Sequence, residues 1–277
     1  MTMLTRPIPS TGEPLPVIGL GTYRAFNVSL NPFKKKDLRD VLRLFFEAGC
    51  SLIDSSPMYG KAEAVTGDLL DAMGARGQAF VATKVWTSGR QSGIDEMNDS
   101  LRKLKCDRIE LMQVHNLVDC DTQLSTLREW KQDGRIKYIG ITHYATSGFT
   151  ELGRYIEKYP DIDFCQFPYS IAVRDAEDYF LDLCAGNGVA TLINRPFEQD
   201  GLFRDVQRAA LPEWAAELGC ATWGQFFLKY LLSFEAVTCL IPATSNPRHM
   251  AENLSAGEGR LPNKREQKMM SDFFDHV

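Results

Sequence analysis

Short apolar runs rich in β-forming residues recur along the chain, alternating with stretches whose apolar residues repeat at helical spacing. Residues 17–19, 51–53, 79–83, 109–114, 137–141, 163–167, 189–194 and 238–241 read as strands. Residues 36–48, 63–72, 95–104, 122–132, 147–158, 176–186, 214–233 (in two pieces) and 247–254 read as helices. A last amphipathic stretch, 263–274, follows Pro262, a residue suited to a helix start. Strict alternation of strand and helix implies a parallel sheet covered by crossover helices. Eight such units predict an α/β fold, the (β/α)8 TIM barrel, with an open doubly wound sheet as the alternative. The proline-rich opening, residues 6–19, predicts a hairpin ahead of the barrel. No composition shift or Gly/Ser linker divides the chain, so one domain over residues 1–277 is expected.

Composition narrows the class. A 44% hydrophobic and 24% charged content suits a globular chain of 277 residues with a full core. A net charge of −5, with both signs spread along the chain, argues against nucleic acid or an anionic membrane as partner. The seven cysteines are scattered singly with no C-x-x-C pair, which predicts neither a disulfide framework nor a zinc site. Residues 1–11 lack an apolar signal-peptide core, and no apolar run is long enough to span a bilayer. A cytoplasmic protein, monomeric or weakly oligomeric, is expected.

In a barrel of this kind chemistry sits at the C-terminal ends of the strands. Three successive strands end in titratable residues: Leu52-Ile53 in Asp54, Phe80-Val81-Ala82-Thr83 in Lys84, and Leu111-Met112-Gln113-Val114 in His115. Neighbouring strands lie about 5 Å apart, so the three side chains should meet. Tyr59 follows Asp54 through the turn-rich Ser55-Ser56-Pro57-Met58 and can fold back over the same spot. Asp54 would supply the counter-charge that Lys84 needs. The ammonium should in turn pull the Tyr59 hydroxyl below its ordinary pKa of about 10. Such a tyrosine is a general acid for an alkoxide forming from a carbonyl, with His115 donating to the same oxygen. No Ser or Cys ends a strand beside a His, and no His pair has metal-ligand spacing.

These residues resemble the aldo-keto reductase family over nearly the whole chain. The resemblance is carried by Pro16-Val17-Ile18-Gly19-Leu20-Gly21-Thr22, by Ile53-Asp54-Ser55-Ser56-Pro57-Met58-Tyr59-Gly60 with Glu63 and Gly67, by Val81-Ala82-Thr83-Lys84-Val85-Trp86, and by Leu111-Met112-Gln113-Val114-His115. It implies a catalytic tetrad of Asp54, Tyr59, Lys84 and His115 and a nicotinamide cofactor extended across the barrel mouth. Thr142, His143 and Gln166 match the positions that hold the nicotinamide carboxamide, with His143 standing where the family usually has asparagine. A plain structural role for His143 is the alternative. Gly21 and Thr22 also count among the cofactor positions. Asn194 stands where an aromatic residue usually stacks on the ring, and either Arg195 or Phe197, flanking Pro196, could cover it instead.

Ser245-Asn246-Pro247 opens a helix whose free N–H groups suit a phosphate or merely their own cap. Family matching favours the cofactor role, with Thr244, Arg248, Glu252 and Asn253 as contacts. Ala243 and His249 replace the lysine and arginine of strict NADPH users, and Arg248 can fork onto the 2′-phosphate from the adjacent position. NADP(H) is the preferred cofactor on this reading, with NAD(H) possible. Tyr23, Met58, Trp86 and Asn116 flank tetrad or first-strand positions and should line the substrate pocket, unless Trp86 only packs on the rim. Longer family members continue past the last helix with a segment that closes over the substrate. With no residue after Val277, an open pocket for small aldehydes or ketones is expected. The rival reading is a non-catalytic, cofactor-binding regulatory or redox-sensing member.

Overall fold

The computed structural model describes residues 2–277. An antiparallel hairpin, β1 (Thr5–Pro7) and β2 (Pro14–Pro16), precedes eight parallel strands. These are β3 (Leu20–Gly21), β4 (Leu52–Asp54), β5 (Phe80–Val85), β6 (Ile109–His115), β7 (Ile136–Thr142), β8 (Phe164–Pro168), β9 (Ala190–Asn194) and β10 (Cys239–Leu240), hydrogen-bonded in that order. Bridges Ile18↔Leu240 and Gly21↔Ala243 bring β10 back to the first strand, so the sheet closes into a barrel rather than staying open. Helices α1 (Pro32–Glu47), α2 (Ala62–Met73), α3 (Arg90–Leu104), α4 (Cys120–Gln132), α5 (Phe149–Lys158) and α6 (Leu181–Gly186) follow the successive strands. Then come α7 (Gly201–Asp205), α8 (Trp223–Leu232), α9 (Pro247–Ala256) and α10 (Lys264–Phe274).

The strand period of two separates two cores. Ile53, Val81, Val85, Met112, Val114, Ile139, Ile141, Phe167 and Ile193 face outward into the helical layer. Leu52, Phe80, Ala82, Leu111, Tyr138, Phe164, Leu192 and Cys239 face inward, and the hairpin's Ile8 and Leu15 join them. The inner face is layered along each strand. Phe80, Tyr138 and Phe164, with ring centroids 5.4–6.1 Å apart, fill the N-terminal end, where the hairpin closes it. Tyr138 donates to Glu13 Oε2 at 2.6 Å from beneath the hairpin. The next inward positions are aliphatic, and the last before the mouth are Asp54, Lys84, Gln113 and Gln166. Continuing the alternation thus turns an apolar floor into a polar mouth.

Element ends depart from the sequence reading in ways that have physical causes. The first barrel strand is Leu20–Gly21 rather than 17–19 because those two residues pair with Ile53 and Asp54, although Val17 and Gly19 still bond to Leu240. Helix α3 starts five residues before the expected 95. Its first turn, Arg90-Gln91-Ser92-Gly93, has no apolar periodicity and is anchored instead by Arg90 pairing with Glu129 at 2.6 Å. The expected helix at 176–186 begins as a π-helical turn, Ala176–Phe180, and α7 was not foreseen because five residues carry too little pattern.

Gly67 sets the approach of α2 to α3: a Cβ there would lie 2.2 Å from the Lys103 carbonyl oxygen. Gly67→Ala should therefore lower stability by about 1–3 kcal/mol. A urea unfolding midpoint unchanged from wild type would contradict this.

Candidate active site

The mouth is organised around a carboxylate that almost no water reaches. Asp54, the last residue of β4, is 2% exposed and Lys84 on β5 is fully buried. Lys84 Nζ donates to Asp54 Oδ1 at 2.9 Å, to Oδ2 at 2.8 Å and to the Ser55 carbonyl at 2.6 Å. Asp54 Oδ1 also accepts from Gln113 Nε2 at 3.1 Å and Gln166 Nε2 at 2.8 Å. Thr22 donates to the Asp54 carbonyl at 2.9 Å and its Oγ1 lies 3.0 Å from Ser55 Oγ, so its buried hydroxyl braces the pair from β3's side. Burial alone would lower the Lys84 pKa, but Asp54 and then Tyr59 outweigh it and hold the ammonium above its ordinary value.

Tyr59 closes over this pair. Its ring centroid lies 5.1 Å from Lys84 Nζ, 5.0 Å from the Tyr23 ring and 6.2 Å, edge-on, from His115. The expected lowering of its pKa is corrected by the structure. Burial raises the hydroxyl more than the Lys84 ammonium lowers it, and the Asp54 charge adds to the rise. Tyr59 is thus held protonated at neutral pH. His115, at the end of β6, is 5% exposed. Burial first, then Lys84 and His143, push its imidazole down to about 3, so it is neutral as well. Its Nδ1 lies 3.1 Å from Ser56 Oγ.

Three of the predicted pocket residues form an open wall. Tyr23, Met58 and Trp86 are each about two-fifths exposed, and the Trp86 ring lies 5.9 Å from His115. Glu96 accepts the Trp86 amide, which ties the rim to α3. Asn116, directly after His115, has φ +52° and a buried Oδ1 with no hydrogen-bond partner among the described residues.

The cofactor positions divide. Gln166 and Thr142 are drawn into the Asp54 network, Thr142 donating to Gln166 Oε1 at 3.4 Å. His143 stands apart: the Ala145 amide donates to its Nδ1 at 3.1 Å, while Gly148 supplies a donor to the Ala145 carbonyl. Nδ1 also lies 3.0 Å from the Ala145 carbonyl oxygen, so either ring nitrogen can carry the proton. Asn194 Oδ1, Arg195 Nε and Glu198 Oε1 are buried without a partner among the described residues. Arg195 reaches the Tyr144 carbonyl at 3.5 Å and Glu198 at 3.1 Å, Pro196 is buried, and Phe197 packs on Phe203 at 5.0 Å. At α9, Asn246 caps Arg248 N at 3.0 Å and Thr244 accepts the Asn246 amide at 3.0 Å. Arg248, 83% exposed, pairs with Glu252 at 3.1 Å, and Asn253 is buried beneath. Gly21 is needed where it stands, since a Cβ would meet the Ile241 carbonyl oxygen at 2.7 Å.

A parallel barrel with a buried polar cluster at the C-terminal ends of its strands is the architecture of the β/α-barrel enzymes. Within that class the chain belongs to the aldo/keto reductase family, whose profile matches residues 17–271. It is 27% identical to aldo-keto reductase YhdN of Bacillus subtilis over 67% of this chain, a match that spans about 60% of that relative's length. It is 28% identical to the NADH-specific methylglyoxal reductase of Escherichia coli, over 74% of this chain and 71% of that one. A solved aldo-keto reductase of Klebsiella pneumoniae, in complex with NADPH, superposes with a TM-score of 0.84 over 99% of this chain and 96% of its own at 21% identity, which establishes the shared fold.

Sequence reasoning missed Gln113, Ser55 and Ser56 as parts of the site. Gln113 was recoverable, because it lies two residues before His115 and so on the same inward face. The serines carried no periodic signal.

The His115 environment has a pH consequence. The folded state keeps the ring neutral while the unfolded chain takes up a proton near its ordinary pKa of about 6.5. The stability tied to the neutral ring is therefore complete above about pH 6.5 and is lost as pH falls toward the folded value of about 3. Imidazole NMR should show His115 uncharged at pH 5, and a ring titrating near 6.5 would refute this assignment.

Proposed function

We propose that the protein reduces small aldehydes or ketones to alcohols with a nicotinamide cofactor, Tyr59 delivering the proton. The reading is carried by one observation: a half-buried, protonated Tyr59 stands between the Lys84 ammonium and a neutral His115 at the barrel mouth. When bound, the nicotinamide supplies the hydride. His115, uncharged, donates a hydrogen bond to the carbonyl oxygen and orients it. Tyr59 gives its proton to that oxygen as charge builds on it. The phenolate left behind faces Lys84, whose positive charge stabilises it and whose own charge Asp54 balances. Tyr23, Met58 and Trp86 provide an open apolar wall, which suits small carbonyl compounds of varied shape.

The residues at the mouth fit a nicotinamide cofactor. A carboxamide needs a donor and an acceptor, and the His143 ring nitrogens and the unpartnered Asn194 Oδ1 can meet that need. NADPH is the preferred form on this reading and NADH a usable one. The NADPH complex of the Klebsiella protein supports the first and the NADH-specific E. coli relative the second. The Arg248–Glu252 pair is exposed and weakly held, so the guanidinium can turn to a 2′-phosphate. A cytoplasmic, monomeric or weakly associating protein completes the proposal, in keeping with its seven free cysteines. No helix among the described residues is long and apolar enough to cross a membrane.

Tyr59→Phe should lower kcat for a generic aldehyde roughly 10²- to 10⁴-fold while leaving NADPH affinity unchanged. Equal, slow NADPH consumption by both proteins would favour the regulatory reading. Arg248→Met should weaken NADPH binding about tenfold and leave NADH binding within about twofold, followed by fluorescence titration. Equal loss for both cofactors would remove the basis for an NADPH preference.

A further inference from the structure

The same turn that presents Tyr59 also holds a hydroxyl against His115. Pro57 keeps Ser56 extended, and the Tyr59 amide returns to the Ser56 carbonyl at 3.0 Å, closing a turn over residues 56–59. Ser56 is fully buried. Among the described residues its Oγ has two polar neighbours, the Met58 amide at 3.4 Å and His115 Nδ1 at 3.1 Å. We infer that Ser56 is a positioning residue that fixes the His115 tautomer, donating its proton to Nδ1 so that Nε2–H alone faces the substrate carbonyl.

Counting donors and acceptors leads there. The Met58 N–H is always a donor, so it takes one lone pair of Ser56 Oγ. If Nδ1 carried a proton, that proton would take the other lone pair. The Ser56 hydroxyl hydrogen would then be buried with no acceptor among the described residues, an arrangement folded proteins avoid. With Nδ1 bare, the Ser56 hydroxyl donates to it, the Met58 amide donates to Ser56, and every group is satisfied. His115 Nε2 has no protein partner among the described residues and is left for the substrate. The neutral state of the ring makes the choice of tautomer matter, because a charged imidazole would donate from both nitrogens. This inference deepens the proposed reduction and rests on it for its catalytic half, but the tautomer itself does not.

Nitrogen-15 NMR of the histidine rings, at neutral pH in the protein without substrate, separates the two halves. In wild type, His115 Nδ1 should show the shift of an unprotonated nitrogen and Nε2 that of a protonated one; a protonated Nδ1 overturns the inference. In Ser56→Ala the two shifts should move toward each other, and an unchanged spectrum overturns it whatever the activity does. With a generic aldehyde, Ser56→Ala should lower kcat roughly two- to tenfold with NADPH affinity unchanged, and Ser56→Thr, which keeps the hydroxyl, should restore it. A changed tautomer with wild-type kcat would overturn the catalytic half alone. If Tyr59→Phe has no effect, the carbonyl-reduction reading fails while the NMR result still stands or falls separately.

Discussion

The mouth of this barrel depends on one buried ion pair. Taking the charges of Asp54 and Lys84 out of water costs several kcal/mol each, and the pair survives only because its remaining hydrogen-bonding capacity is filled. Ser55 completes the ammonium, while Gln113 and Gln166 complete the carboxylate. The partners come from β4, β5, β6 and β8, so satisfying one carboxylate pins the ends of four strands around a common point. A pair of this kind adds little net stability. What it adds is position, since removing either member leaves an unpaired buried charge at a cost of about 3–5 kcal/mol.

The properties of Tyr59 and His115 follow from that arrangement. Both lie at the edge of the dry Asp54–Lys84 ion pair, and both are held neutral, the tyrosine protonated and the histidine without its second proton. Neutral donors beside an ammonium bind an uncharged carbonyl oxygen weakly and stabilise it more as negative charge builds on it. The hairpin and the aromatic floor at the other end of the barrel support this by keeping water from entering below. Gly140 has a related part. A Cβ at that position would lie 2.8 Å from Gln113 Cγ, so its absence leaves room for the Gln113 side chain that completes Asp54.

The loop after β9 is built differently. Arg195, Glu198, Gln199 and Asp200 all take left-handed backbone conformations, uncommon outside glycine, and their loop carries several buried polar atoms without partners. Buried polar groups are nearly always paired in folded chains, so this cluster sets the loop apart from the rest of the barrel. His143 is held through Nδ1 by the Ala145 backbone of its own loop. The Phe197 ring packs on Phe203, 5.0 Å away.

Much of this was legible in the linear pattern. Strand–helix alternation determined the barrel, and the residues ending three successive strands determined Asp54, Lys84 and His115, because a period of two and a common strand direction leave their side chains no other place to meet. The proline-rich opening likewise determined the hairpin. Three things were decided only by the tertiary structure. The Tyr59 pKa went up rather than down, since desolvation depends on how completely neighbours exclude water, and no local spacing reports that. Gln166 turned to Asp54 and Thr142 to Gln166, because hydrogen-bond choice depends on which acceptor lies nearest across strands β7 and β8. Ser56 met His115 across 59 residues of chain, a contact that closure of the barrel creates and that nothing in the sequence around either residue announces.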